Sequence, residues 1–155
     1  MKYLTMAACG LFALSLSAGA AIAAPTPVGT WLSHDGALKV RISECGSNRL
    51  CGTVVWLNKP TDAATGRPKT DKHNDDPAKR ARPLIGLRVA QGLMPNGPNK
   101  WSGQIYNADD GNTYQGHLQL QDSARMQLQG CVLGVLCKSH TWTRSGGADS
   151  RSASN

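Results

Sequence analysis

The chain has 155 residues, with seventeen Lys and Arg against ten Asp and Glu, 40% hydrophobic residues and only 5% aromatic ones. That length holds one domain around one core and is too short for two domains of ordinary size. A net charge of +7 biases encounters toward anionic surfaces or ligands, but no recognition motif accompanies it, and nucleic acid is not an expected partner.

In chain order, the first element is a leader. Lys2 precedes an uncharged run from Tyr3 to Ala24 that closes with Ala18-Gly19-Ala20-Ala21-Ile22-Ala23-Ala24 ahead of Pro25. This is the pattern of a secretory signal peptide over residues 1–24, with Ala21 and Ala23 set for a cut after Ala23, and Ala24 permitting one a residue later. Read as an uncleaved anchor, the run is diluted by Gly, Ser and Thr; read as an acylation site, Cys9 has too little apolar sequence before it. Cleavage removes Lys2 and the one phenylalanine, Phe12, and leaves a charge of +6. The expected product is a domain over residues 25–144, exported across the inner membrane to the periplasm and not membrane-spanning. Its core must rest on Leu, Val, Ile and the four tryptophans.

From Val28 onward, period-two alternation recurs and sustained helical periodicity does not. Leu38, Val40 and Ile42 share one face against Lys39, Arg41 and Ser43. Trp101, Gly103 and Ile105 repeat the scheme, as do Tyr114, Gly116, Leu118 and Leu120, and then Met126, Leu128 and Gly130. Turn signals at His34-Asp35-Gly36, Pro95-Asn96-Gly97, Asp109-Asp110-Gly111 and Gln121-Asp122-Ser123 separate these runs. About eight strands follow, near 28–34, 37–44, 51–57, 84–92, 101–107, 112–120, 124–131 and 137–144. Strands with one dry face, joined mostly by short turns, can bury that face by closing into an all-β, up-and-down antiparallel barrel; a two-sheet sandwich is the alternative.

The stretch from about Asn58 to Pro83 is too long and polar for a simple turn. Asp76 as N-cap and Pro77 at the first helical position predict a short helix inside a long loop, limited by Pro83. Arg67, Lys69, Lys72, Lys79, Arg80, Arg82 and Arg88 stand here against Asp71, Asp75 and Asp76, so most of the net charge is local to this loop. Residues 145–155 are rich in Gly and Ser and are expected to be a disordered tail.

Four cysteines remain after the leader, an even number in an exported chain, which favours disulfides over a metal. Both pairs have five residues between partners. With Gly46-Ser47-Asn48 and Gly134 in the intervals, that spacing favours Cys45–Cys51 and Cys131–Cys137 as staples across two hairpins. A zinc site lacks the usual close cysteine spacing. Asp71-x-His73-x-Asp75-Asp76 lacks the Gly and Glu of a calcium loop, and neither metal nor cofactor is expected.

Gly29-Thr30-Trp31 opens the first strand and Trp142-Thr143-Arg144 closes the last. This arrangement resembles the lipocalin and wider calycin pattern, in which an arginine from the chain's end covers the first-strand tryptophan; here that implies Arg144 over Trp31 as the barrel closure. A broader set of motifs, Cys45-x5-Cys51-Gly52, Val55-Trp56-Leu57, Asp71-x-x-Asn74-x-Asp76-Pro77, Arg80-x-Arg82-Pro83-Leu84-x-Gly86, Trp101-x-Gly103-x-Ile105-Tyr106, Asp110-Gly111-x-x-Tyr114 and Gly130-Cys131, resembles the bacterial domain of unknown function 2147 family. The resemblance implies an exported lipocalin-like barrel and supplies no reaction.

No nucleophile-elbow motif is present and no catalytic residue is nominated. Arg80 and Arg82 either pin the long loop through Asp71 or Asp76, or form an anion-binding edge. Trp56, Trp101, Tyr106 and Tyr114 either line a ligand cavity or fill the core. Two functions follow: binding of a small, mainly apolar and in part acidic ligand, or a non-catalytic envelope module with a solid barrel and a basic loop. A cavity continuous with solvent favours the first, and a packed interior the second. For the leader, N-terminal sequencing of the exported protein should begin at Ala24 or Pro25; a start at Met1 would remove the signal peptide from this account.

Overall fold

The computed structural model describes residues 25–132 and 135–146. The leader, Gly134 and the tail from residue 147 lie outside the described residues. The alternating runs become eight strands: β1 (Gly29–Leu32), β2 (Leu38–Gly46), β3 (Arg49–Leu57), β4 (Arg88–Pro95), β5 (Lys100–Asn107), β6 (Asn112–Leu120), β7 (Arg125–Val132) and β8 (Leu136–Arg144). Each pairs antiparallel with the next, and β8 returns to β1 with Trp31 opposite Arg144 and Leu32 opposite Thr143, which closes the barrel. Closure leaves the sheet no free edge and decides between barrel and sandwich in favour of the barrel.

Up-and-down order puts the β1–β2, β3–β4, β5–β6 and β7–β8 connections at one end, and the other turns with the start of β1 and the end of β8 at the opposite end. The closed end is held by one arginine. The Arg144 guanidinium lies 4.2 Å from the centre of the Trp31 ring. Its Nε donates to the Ser123 carbonyl at 2.6 Å, and its two terminal nitrogens donate to the carbonyls of Val28 and Thr26, each at 2.8 Å. The fully buried Trp31 donates its indole N–H to the Pro27 carbonyl. Gly29 has φ of +136°, and a Cβ there would collide with the guanidinium, so the glycine of Gly29-Thr30-Trp31 is required by the arginine's approach.

The core, Trp31, Val40, Ile42, Leu50, Val54, Ala90, Leu93, Leu118, Leu120 and Met126, gathers toward this end. Leu38, Leu57, Val89, Ile105, Leu128 and Trp142 pack against it but are only partly buried. The disulfides stand at opposite ends: Cys45–Cys51 clamps the β2–β3 hairpin, and Cys131–Cys137 joins directly opposed residues of β7 and β8. Loops of this size contribute roughly 2–2.5 kcal/mol each on the chain-entropy account.

Three expectations change. The helix in the long loop is a single 3-10 turn, Pro77–Lys79, with Asp76 Oδ1 accepting from the Ala78 amide. It cannot lengthen, because Asp71 N–H takes the Arg82 carbonyl and Leu84 N–H takes the Lys69 carbonyl, which draws the chain back alongside itself. The fourth strand begins at Arg88 rather than Leu84, since Leu84 to Leu87 are turned and bonded to the loop and to Val54. The last pairing also reaches one residue further than expected, with Ser145 N–H donating to the Thr30 carbonyl. Among the described residues no helix is long and apolar enough to cross a membrane.

Truncating Arg144 to Ala should lower stability by about 2 kcal/mol, because a desolvated stacking contact and donors to backbone carbonyls are lost together. A denaturation midpoint equal to that of the parent would mean that the closed end is held by something else.

Candidate ligand-binding cavity

A barrel packed at one end and only half-packed at the other encloses space. The cavity measures about 1100 Å³ and is walled by inward side chains of the open half, among them Leu38, Val54, Val89, Ile105, Leu128 and Trp142. All of these except the buried Val54 are only partly buried, as side chains facing a hollow are. Gly130, opposite Lys138 on β8, lines the cavity without a side chain, and Gly116 makes room for Ile105, with which a Cβ would collide.

The rim is polar. His34 and Asp35 come from the β1–β2 turn, Asn58, Lys59 and Lys69 from the long loop, Asp109 and Asp110 from the β5–β6 turn, and Lys138 and His140 from β8. The rings of His34 and His140 stack with centroids 3.8 Å apart. Burial, then the neighbouring His34 and Lys138, push the His140 imidazole pKa below its ordinary value, with Asp35 opposing. Asp35 is held below the carboxylate range first by the Ser33 hydroxyl and then by the Ala37 amide. Burial works to raise Asp110, but donors led by the Tyr114 hydroxyl outweigh it and lower its pKa. Both carboxylates are therefore already occupied. Lys59, Lys69 and Lys138 carry no ion pair among the described residues.

The expected site residues divide. Tyr106 and Tyr114 reach the cavity. Trp101 is half-buried and packs against the core without lining the cavity, and Trp56 lies outside it, 39% exposed beneath the Lys39 ammonium. Arg80 and Arg82 are not at the cavity either. Arg80 Nε donates to the Asn74 carbonyl at 2.7 Å, and Arg82 grips Asp71 Oδ2 through two nitrogens, each at 2.8 Å. Of the two roles open to these arginines, the geometry matches pinning, although Arg80 pins through a backbone carbonyl instead of a carboxylate.

Asp71 is the centre of that pin. It is fully buried and accepts from Arg82, from the Tyr106 hydroxyl at 2.6 Å and from Asn74 Nδ2 at 2.9 Å. Burial, then the bond to Asp71, push the Tyr106 phenol up, so its proton stays in place. The loop is also tied at Gly111, whose φ is +76° and where a Cβ would collide with the His73 carbonyl. The long loop is thus bolted to β5 and the β5–β6 turn, and it presents Lys59 and Lys69 at the rim. Lys59, Lys69 and His34 have no sequence motif; for Lys138 and His140 the signal was the face of β8 that they share with Trp142.

An up-and-down eight-stranded barrel, closed at one end by an arginine over tryptophan and open at the other to an apolar cavity, is lipocalin-like. The family model described as "Uncharacterized protein conserved in bacteria (DUF2147)" matches residues 29–144, and the chain belongs to that family. Among solved structures it is similar to one reported under the words "Protein HP1028 from the human pathogen Helicobacter pylori belongs to the lipocalin family", with a TM-score of 0.68, 20% identity, and coverage of 79% of this chain and 85% of that one. No curated protein matches the chain.

Arg82→Gln should leave Asp71 buried without its cation. The expected loss is about 2 kcal/mol, below the range for a fully enclosed pair because Arg82 is 39% exposed and Tyr106 and Asn74 still hold the carboxylate. Limited proteolysis should then cut within residues 58–87 faster than in the parent; unchanged resistance and stability would show that the loop is held elsewhere.

A second prediction concerns pH. A depressed imidazole favours the folded state while neutral, so His140's contribution is complete above about pH 6.5 and is lost as pH falls through the folded-state value. His140→Gln should remove this part of the acid sensitivity. Parallel stability profiles from pH 7.5 to 5 for parent and variant would argue against it.

Proposed function

We propose that this protein is an exported, periplasmic, lipocalin-like carrier whose open cavity holds a small, mainly apolar ligand with an acidic end. The observation that carries the reading is the cavity of about 1100 Å³, with apolar walls and a polar, lysine-bearing rim. Sites for small molecules have this form: apolar area gives affinity, and a few fixed polar groups give orientation. Among the described residues the rim cations Lys59, Lys69 and Lys138 make no ion pair, whereas Asp35 and Asp110 are engaged by hydrogen bonds. Tyr114 and Tyr106 stand below them, with their hydroxyls turned to Asp110 and Asp71. The leader and two disulfides support an oxidising compartment outside the cytoplasm. The envelope-module reading rested on a solid barrel, and a hollow interior takes away that support.

Native mass spectrometry of protein recovered from its own periplasm should detect a retained small molecule. With the delipidated protein, a medium-chain fatty acid such as dodecanoate should quench Trp142, which lines the cavity, and Trp142→Phe should abolish most of that change. Converting Lys59, Lys69 and Lys138 together to Gln should weaken dodecanoate binding by about 2 kcal/mol while sparing dodecanol, since only charge-assisted bonds are lost. Equal loss for acid and alcohol would refute the acidic end; no binding of either, and no retained molecule, would refute the carrier.

A further inference from the structure

The tip of the β7–β8 hairpin is apolar where a soluble hairpin would be polar. Val135 is 78% exposed, Leu136 72% and Val132 45%, three neighbouring large side chains at one turn of the open end. The disulfide Cys131–Cys137 clamps the hairpin just behind them. Val132 and Leu136 also edge the cavity, so the apolar wall continues from the interior, over the rim, to the outer surface. Lys138 follows the tip on β8, and Lys59 and Lys69 stand on the same rim.

We propose that this tip is a docking element for an anionic lipid bilayer, with Val135 and Leu136 entering the interface while the rim lysines meet the headgroups. Isolated exposed apolar residues need no explanation, but three exposed apolar side chains at one turn, bordered by lysines with no ion pair among the described residues, mark an interaction surface. A bilayer matches both halves of that chemistry: hydrocarbon for the valine and leucine side chains, and negative surface potential for the lysines and the overall positive charge. A flat, charge-poor protein face would match only the first half. Docked in this way, the cavity mouth faces the membrane, and an amphiphile could pass between them without crossing water. Docking does not depend on the cavity being a carrier site, because it rests on the apolar tip and the rim lysines and not on what the cavity holds.

The test is co-sedimentation of the leader-processed protein, its mass verified, with vesicles of phosphatidylcholine containing phosphatidylglycerol. The parent should bind, and binding should weaken as the phosphatidylglycerol fraction falls or as salt rises. Val135→Ser combined with Leu136→Ser should reduce vesicle affinity by roughly tenfold or more, given the apolar area lost, with an unchanged denaturation midpoint. Val135→Ser alone, a residue outside the cavity wall, should give an intermediate loss. Failure of the parent to bind anionic vesicles would overturn the proposal, as would equal binding by the double variant. A serine variant that instead turns a dimer into a monomer, with no vesicle binding by either, would reassign the tip to self-association.

Discussion

A hollow barrel has little interior packing to hold its ends in register, so one of them must be fastened by local chemistry. Arg144 does this with a single planar cation. Its face stacks on Trp31, and its edge nitrogens hold three carbonyls, from Ser123 on the β6–β7 turn and from Val28 and Thr26 before β1. A lysine could supply the charge but not the planar stack with donors in several directions at once. Because β1 has only four residues and meets β8 through two paired positions, this contact is what makes the sheet a closed cylinder. Packing of Leu93, Leu118, Leu120 and Met126 at the same end depends on that closure.

The opposite end carries the opposite requirement: it must stay open without fraying. Side chains facing a cavity lose contacts that a filled interior would give, and dispersion is forfeited along with them. Two devices offset the deficit. Cys131–Cys137 limits the unfolded chain and secures the last hairpin, while Asp71, Arg82, Asn74 and Tyr106 secure the long loop. A buried ion pair contributes little net stability compared with apolar packing, but it fixes one geometry, since any other leaves Asp71 dehydrated and unpaired. That fits a loop held in one position, with Lys59 and Lys69 at the rim.

Much of this was legible in the sequence, and the parts that were not share a cause. Alternation located the strands because each has one dry face, and the cysteine spacing gave the hairpin staples because partners opposite in register lie close in the chain. The closure was legible because the glycine, the tryptophan and the arginine each answer a local steric or electronic demand. The rim was not. Lys59, Lys69, His34 and His140 become neighbours of one cavity only through closure, and nothing in local periodicity distinguishes a lysine at a rim from one in solvent. The two roles open to Arg80 and Arg82 could not be separated in the sequence, because charge density marks a loop without saying which charges are already spent inside it. Trp56 misled because the register break between Lys39 and Val40 leaves it opposite Lys39 and outside the cavity, where a plain count along the strand leaves its side open.

The location of the family-like motifs bears on specificity. Asp71, Asn74, Arg82, Tyr106 and Gly111 meet in the loop anchorage, Gly29, Trp31 and Arg144 meet at the closed end, and the cysteines clamp hairpins. The cavity wall mixes the two: Ile105, Tyr106, Tyr114, Gly130 and Trp142 belong to these motifs, whereas Leu38, Val89, Leu128 and His140 do not. The recognisable residues therefore specify the frame and part of the wall, and side chains with no motif line the rest. Replacing a wall residue alters the volume and polarity of the cavity without touching Arg144 or Asp71, so one frame tolerates different cavities at small cost to its stability. Family membership accordingly carries the architecture of the cavity, and the ligand must be argued from the wall and rim of this chain.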